Sequence, residues 1–176
     1  GLAVKRSLKP DEISLYIGIP FCPTRCAYCS FVSADVQKAL KLVEPYLDGL
    51  CQEMAASAAY LRQAGLFIRT IYIGGGTPTT LTAPQLERLL TQVEQCFDLS
   101  RLTEYTVEAG RPDTITAEKL AVLKSHGITR ISVNPQTMNQ KTLDLIGRRH
   151  TVEQVKEAFA LAREVGFTNI NMDIIL

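Results

Sequence analysis

Three cysteines within eight residues, Cys22, Cys26 and Cys29 in the run Ile19-Pro20-Phe21-Cys22-Pro23-Thr24-Arg25-Cys26-Ala27-Tyr28-Cys29, can wrap a single metal centre. An odd number of thiols cannot pair off in mutual disulfides. Cys thiolates hold iron–sulfur clusters, and a loop that gives only three of them to a four-iron cubane leaves one iron free for a small molecule. A Cys-rich zinc knuckle is the alternative. Zinc wants a fourth ligand, and the two histidines, His126 and His150, lie far along the chain.

A second chemical feature is the run Gly74-Gly75-Gly76-Thr77-Pro78-Thr79. It matches neither the phosphate-binding loop, which needs Lys-Ser or Lys-Thr, nor G-x-G-x-x-G. Three glycines instead supply bare backbone that a ligand can approach closely, and they permit positive φ. Cys51 and Cys96 fall on apolar faces of expected helices, where a free thiol behaves as a small hydrophobe. His126, just before Gly127, reads as a partner of a helix C-terminus, and His150 as loop surface.

These residues need a scaffold. The chain has 176 residues, 46% of them hydrophobic, and a formal net charge of +1, enough for one core and no electrostatic reason to expect nucleic acid. No segment approaches the run of about 18 apolar residues that would span a bilayer. The first residues carry no apolar stretch of signal-peptide length before Lys5 and Arg6. A cytoplasmic setting with reduced thiols is expected.

Residues Ser14 to Ile19, Thr70 to Ile73, Glu104 to Val107, Arg130 to Val133 and Asn169 to Leu176 read as strands, several nearly continuous in apolar residues, as strands covered on both faces tend to be. Between them lie helical patterns. Pro45 suits a first helical turn, with Leu47, Leu50, Cys51, Met54, Ala58 and Leu61 on one face and Gly65 at the end. Thr82 with Gln85 and Thr151 with Gln154 make capping-box patterns, Thr116 is a further cap, and Gly166 closes the last helix. Strand and helix in alternation predict an α/β fold with a parallel sheet. About five strands fill only part of a (β/α)8 barrel, which takes about 250 residues. The expectation is a partial parallel (β/α) barrel truncated at its C-terminal side, with residues 1–13 a polar entry segment and 14–176 the core. A chain that stops at such an apolar strand is expected to be a fragment without turnover of its own. Ligands of parallel sheets gather at the strands' carboxyl ends, which here are all polar or glycine-rich.

The spacing C-x3-C-x2-C, with an aromatic residue just before the last Cys, resembles the cluster loop of radical S-adenosylmethionine (SAM) enzymes, in which the open iron binds SAM and electron transfer yields a 5′-deoxyadenosyl radical. With Tyr16-Ile17-Gly18-Ile19-Pro20-Phe21-Cys22, Tyr72-Ile73-Gly74-Gly75-Gly76-Thr77-Pro78-Thr79, Pro135-Gln136-Thr137, Gly147-Arg148-Arg149 and Asn171-Met172-Asp173, the whole is similar to the oxygen-independent coproporphyrinogen III oxidase family. Cys29-Ser30-Phe31 and Asn134-Pro135-Gln136 resemble its bacterial coproporphyrinogen dehydrogenase branch, of HemZ type.

That resemblance implies a [4Fe-4S] cluster on Cys22, Cys26 and Cys29, with Tyr16 and Tyr28 beside SAM and the cluster. Gly75 and Gly76 would contact the methionine end of SAM, while Glu108, Gln136, Arg148 and Asp173 would hold its carboxylate, its ribose or a second SAM. It implies a tetrapyrrole substrate, a reduced donor such as flavodoxin or ferredoxin, and oxidative decarboxylation of coproporphyrinogen III to protoporphyrinogen IX. Arg111 would reach a substrate propionate or form an exposed turn ion pair, and Arg149 is a weaker candidate than Arg148. The best-studied oxidases have a further cysteine where this chain has Phe31. Its absence is shared with a sister branch of heme carriers, which gives the alternative function.

Overall fold

The computed structural model describes residues 8–24, 26–30 and 34–175. Its centre is a five-stranded parallel sheet in which β1 (Glu12–Ile19), β4 (Phe67–Gly75), β5 (Glu104–Glu108), β6 (Arg130–Ser132) and β7 (Ile170–Asn171) lie side by side in chain order. The short strands β2 (Phe21–Cys22) and β3 (Ala34–Asp35) form a separate parallel pair. The helices are α1 (Val36–Ala64), α2 (Ala83–Cys96), α3 (Ala117–Ser125), α4 (Gln140–Leu145) and α5 (Val152–Glu164).

Register explains why one side of the sheet is greasy and the other is not. Ile17 pairs with Ile73, Ile73 with Val107, Val107 with Ile131 and Ile131 with Ile170, so one apolar row crosses all five strands. The row joins Leu47, Met54, Leu89, Val93, Leu123 and Ala162 of the helices in a single buried cluster. Each such side chain contributes about 1.5–3 kcal/mol on leaving water. Since successive strand residues face opposite sides, the neighbouring row, Tyr16, Tyr72, Thr106 and Arg130, lies on the other face. Tyr16 and Tyr72 stack there, ring centroids 6.0 Å apart at 11°.

The capping boxes at Thr82 and Thr151 form as expected, Thr116 accepts from the Lys119 N–H, and Gly65 and Gly166 end their helices with φ of 67° and 99°. Several boundaries differ from expectation, and the second strand of the sheet is one, running Phe67–Gly75 where Thr70 to Ile73 was expected. The first helix begins at Val36 rather than near Pro45, and its irregularity is at Ala39 (φ −107°, ψ 15°). Pro45 lies inside it, where its ring nitrogen cannot donate to the Lys41 carbonyl. The last strand shrinks to Ile170–Asn171 because β6 ends at Ser132 and the chain then turns through Pro135, which has no N–H to give. Pairing resumes only as a bridge between Gln136 and Ile174, and Leu176 lies outside the described residues. Finally, β1 takes in Glu12 and Ile13 from the expected entry segment, of which residues 1–7 lie outside the described range. Among the described residues no helix is long and apolar enough to cross a membrane.

His126 caps α3, but its main partners are two carboxylates of α2. Its Nδ1 lies 2.7 Å from Glu94 and its Nε2 3.0 Å from Glu87. Burial alone would lower its pKa, yet the two hydrogen-bonded carboxylates outweigh it and the value is raised. A raised folded-state pKa gives stability that is complete below the unfolded value and is lost as pH rises through the folded one. Wild type should therefore exceed His126→Gln in urea-unfolding free energy by about 1 kcal/mol or less below the ordinary imidazole range, and the gap should narrow as pH rises above it. A gap that widens with pH contradicts this ion pairing.

Candidate functional site

The carboxyl ends of the strands meet at one rim, and the polypeptide there is tied together by its backbone. The Gly76 N–H donates to Ile19 O at 2.8 Å and the Thr77 N–H to Phe21 O at 2.7 Å, so the glycine turn after β4 is bonded to the segment that leads into Cys22. This approach requires glycine. A Cβ on Gly76 would stand 2.6 Å from Phe21 O and 3.0 Å from Ile19 O, and Gly75 has φ of 110°. Thr77 Oγ1 lies 3.6 Å from Cys22 Sγ. Farther along the loop, the Cys29 N–H closes a turn on Cys26 O at 3.1 Å, and the Ala27 N–H donates to Ile146 O, just after α4.

A cavity of about 130 Å³ opens among these segments. Cys22, Cys26, Tyr28 and Cys29 line one side, and Gly75, Gly76 and Thr77 another. Glu108, Gly110 and Arg111 come from the end of β5, Asn134 and Gln136 from beyond β6, and Arg148 from the loop after α4. Nine of the eleven residues expected at the site therefore share one cavity. Tyr16 and Asp173 do not line it. Tyr16 is 58% exposed on the polar sheet face. Asp173 is exposed and enters through its backbone, its carbonyl accepting from the Gln136 N–H at 3.1 Å. Thr77, Gly110 and Asn134 line the cavity without an expected binding role, and Arg111, expected as a substrate contact or an exposed ion pair, lines it too. Their signal was positional, since each stands within a few residues of a strand's carboxyl end.

Two buried arginines frame the cavity. Arg148 Nη1 donates to Gly110 O at 3.1 Å and Asn134 O at 3.3 Å, while Nη2 reaches the Tyr28 hydroxyl at 3.3 Å. Arg111, read from the sequence as substrate contact or exposed ion pair, is 2% exposed and faces the cysteine loop. Arg149 is exposed. His150 is fully buried rather than on a loop surface, and neither ring nitrogen has a hydrogen-bond partner among the described residues. Burial, then the Arg148 charge, lower its pKa.

Glu108 is half-buried. Burial raises its carboxyl pKa and the Asp173 charge adds to this, while the Gly75 N–H and Arg148 oppose it. Gly74 leaves room for the carboxylate, since a Cβ there would come within 2.9 Å of Glu108 Oε2. Burial, then Glu108, pushes the Tyr72 phenol up to about 12, so it stays a hydrogen-bond donor.

Three thiols around one cavity at the rim of a partial parallel barrel define a class. The chain belongs to the radical SAM superfamily, whose family model matches residues 16–176. It is 50% identical over 94% of its length to the oxygen-independent coproporphyrinogen-III oxidase-like protein HemZ of Bacillus subtilis (strain 168), covering 33% of that protein. It is 43% identical over 92% of its length to the heme chaperone HemW of the same organism, covering 41% of it. The solved structure of coproporphyrinogen III oxidase (HemN) from Escherichia coli matches with a TM-score of 0.81 and 31% identity, over 98% of this chain and 39% of that one. The chain thus spans between a third and about two-fifths of the length of these relatives.

The superfamily's cofactors are a [4Fe-4S] cluster and SAM, and the residues present fit both. Among the described residues no three Cys, His, Asp or Glu side chains converge on a position for a single metal ion; the three thiols instead line one shared cavity. Beside them, Asn134 Oδ1 and Arg148 Nε are buried with no hydrogen-bond partner. Unpaired buried polar atoms are costly, and a polar ligand in the cavity would satisfy them.

Proposed function

We propose that the chain is the cofactor-binding part of a HemZ-type enzyme that converts coproporphyrinogen III to protoporphyrinogen IX without oxygen. The observation that carries this reading is the 50% identity to the HemZ protein across 94% of the chain. Cys22, Cys26 and Cys29 hold the cluster. Gly75 and Gly76 offer backbone to the methionine end of SAM, and Tyr28 closes over the cavity from the cysteine loop. Arg148, Glu108 and Gln136 take SAM's carboxylate and ribose, Arg through the forked geometry that suits a carboxylate and the others through oxygen acceptors that suit hydroxyls. Asp173 orders Gln136 from behind, and Tyr16 with Tyr72 forms an aromatic shelf on the sheet face toward the substrate.

When bound, cluster and SAM together supply one-electron reductive cleavage of SAM and hydrogen-atom abstraction. Abstraction from a propionate side chain, followed by loss of carbon dioxide and passage of one electron to a one-electron acceptor protein or cofactor, leaves a vinyl group. The protein's part is to orient the reactants and exclude side reactions. The electron for each cleavage comes from a reduced flavodoxin- or ferredoxin-type donor.

The 43% identity to a heme chaperone, together with Phe31 in the position of the oxidases' further cysteine, favours a second reading, a heme carrier that keeps the cluster and SAM site. One assay separates them. The anaerobically reconstituted full-length protein, given SAM, reductant and coproporphyrinogen III, is expected to form 5′-deoxyadenosine and protoporphyrinogen. No consumption of coproporphyrinogen, together with stoichiometric heme binding, would overturn the oxidase in favour of the carrier.

A further inference from the structure

Among the described residues Arg111 is the largest fully buried side chain, and its guanidinium is divided among three partners. Nε lies 3.2 Å from Asp113 Oδ1, Nη2 donates to Thr24 Oγ1 at 3.0 Å, and Nη1 points at Cys26 Sγ from 3.5 Å. Two of the three belong to the cysteine loop, 85 and 87 residues away in sequence. The third belongs to the turn that follows Arg111 itself, and its side chain is 22% exposed.

Burying a guanidinium costs several kcal/mol unless opposite charge and hydrogen bonds compensate it. Asp113 does this only in part, because a partly solvated carboxylate at 3.2 Å is screened by water. The side of the fork turned to Cys26 faces a sulfur that carries negative charge whenever it ligates iron. Hydrogen bonds and charges at cluster sulfurs set reduction potential.

We propose that Arg111 is a positioning and tuning residue for the cluster: its fork holds Thr24 and Cys26 in the ligating arrangement, and its fixed charge at the Cys26 sulfur favours the reduced cluster. This rests on the reading of Cys22, Cys26 and Cys29 as ligands. The charge acts on a one-electron couple, in which the cluster gains an electron and the guanidinium charge compensates it.

The test is potentiometric titration with dithionite, followed by electron paramagnetic resonance of the reduced cluster, on reconstituted wild type, Arg111→Gln and Asp113→Asn. Iron content and circular dichroism are recorded alongside. With Arg111→Gln the ratio of reduced to oxidised cluster at a fixed potential should fall about tenfold, a midpoint lower by about 59 mV. Asp113→Asn removes the carboxylate that offsets Arg111 and should move the midpoint upward. A fall with Arg111→Gln and a rise with Asp113→Asn support the proposal, and the reverse pattern overturns it. An unchanged midpoint in fully loaded Arg111→Gln, or shifts of the same sign in both variants, overturns it. Should Arg111→Gln fail to fold, Asp113→Asn decides alone: a rise supports the proposal, and no change or a fall overturns it. A well-folded wild type that takes up no cluster overturns the ligand reading itself, and the proposal with it.

Discussion

Replacing Cys26 by alanine is expected to remove most of the iron that the chain takes up on anaerobic reconstitution, while Cys51→Ala and Cys96→Ala retain it. Cys22, Cys26 and Cys29 line one cavity, whereas Cys51 and Cys96 are half-buried against the helical core. Cys96 Sγ, at the end of α2, accepts from Gln92 Nε2 of the same helix at 3.0 Å. Losing one of three thiolates leaves two irons of a cubane without protein ligands, so the effect is near-complete loss rather than a graded decline. Iron and sulfide counts per chain, with the visible absorption of the cluster, provide the readout. Full iron retention by Cys26→Ala would refute the ligand set.

Gly76→Ala should cost about 2 kcal/mol or more and lower Tm by roughly 4–8 °C. The added methyl would meet two backbone carbonyls, Phe21 O at 2.6 Å and Ile19 O at 3.0 Å, and backbone has no rotamer by which to yield. Relief would require the glycine turn to part from the segment entering Cys22, so cluster uptake should fall as well. Gly49→Ala is the matched control. Gly49 lies in α1 with nothing within 4 Å of an added Cβ, and alanine there should stabilise by about 0.5–1 kcal/mol. Calorimetry of the two variants checks both signs, and a neutral Gly76→Ala would mean that the two strand ends are not in contact as described.

Most of the rim was legible because a parallel sheet built in chain order brings every strand's carboxyl end to the same edge. Cys22, Gly75, Glu108 and Gln136 needed only correct strand positions to be brought together. What could not be read was which side chains the rim would bury. Arg111 and His150 are polar residues beside Gly, Pro and Asp or at a helix cap, and such surroundings ordinarily mean solvent. Arg111 is buried where the cysteine loop meets it, a contact between segments more than 80 residues apart. Tyr16 was placed on the correct strand, yet alternation turns its ring to the exposed sheet face. Pro45 misled for a different reason. A preference for first turns says where proline is tolerated, and here the helix began upstream and ran through it.

Gln136 is the one non-glycine residue with positive φ among the described residues, at 67°, and its N–H and C=O are bonded to Asp173 and Ile175 on either side. A residue with a Cβ pays roughly 1–3 kcal/mol to hold that conformation. Glycine would adopt it freely, so the optimum for the fold and the optimum for the cavity are different amino acids at one position. Stability alone therefore favours glycine here, whereas the proposed contact of Gln136 with SAM needs the amide. On that proposal position 136 is a compromise between durability and activity, and engineering that ranks substitutions by stability alone would erase it first.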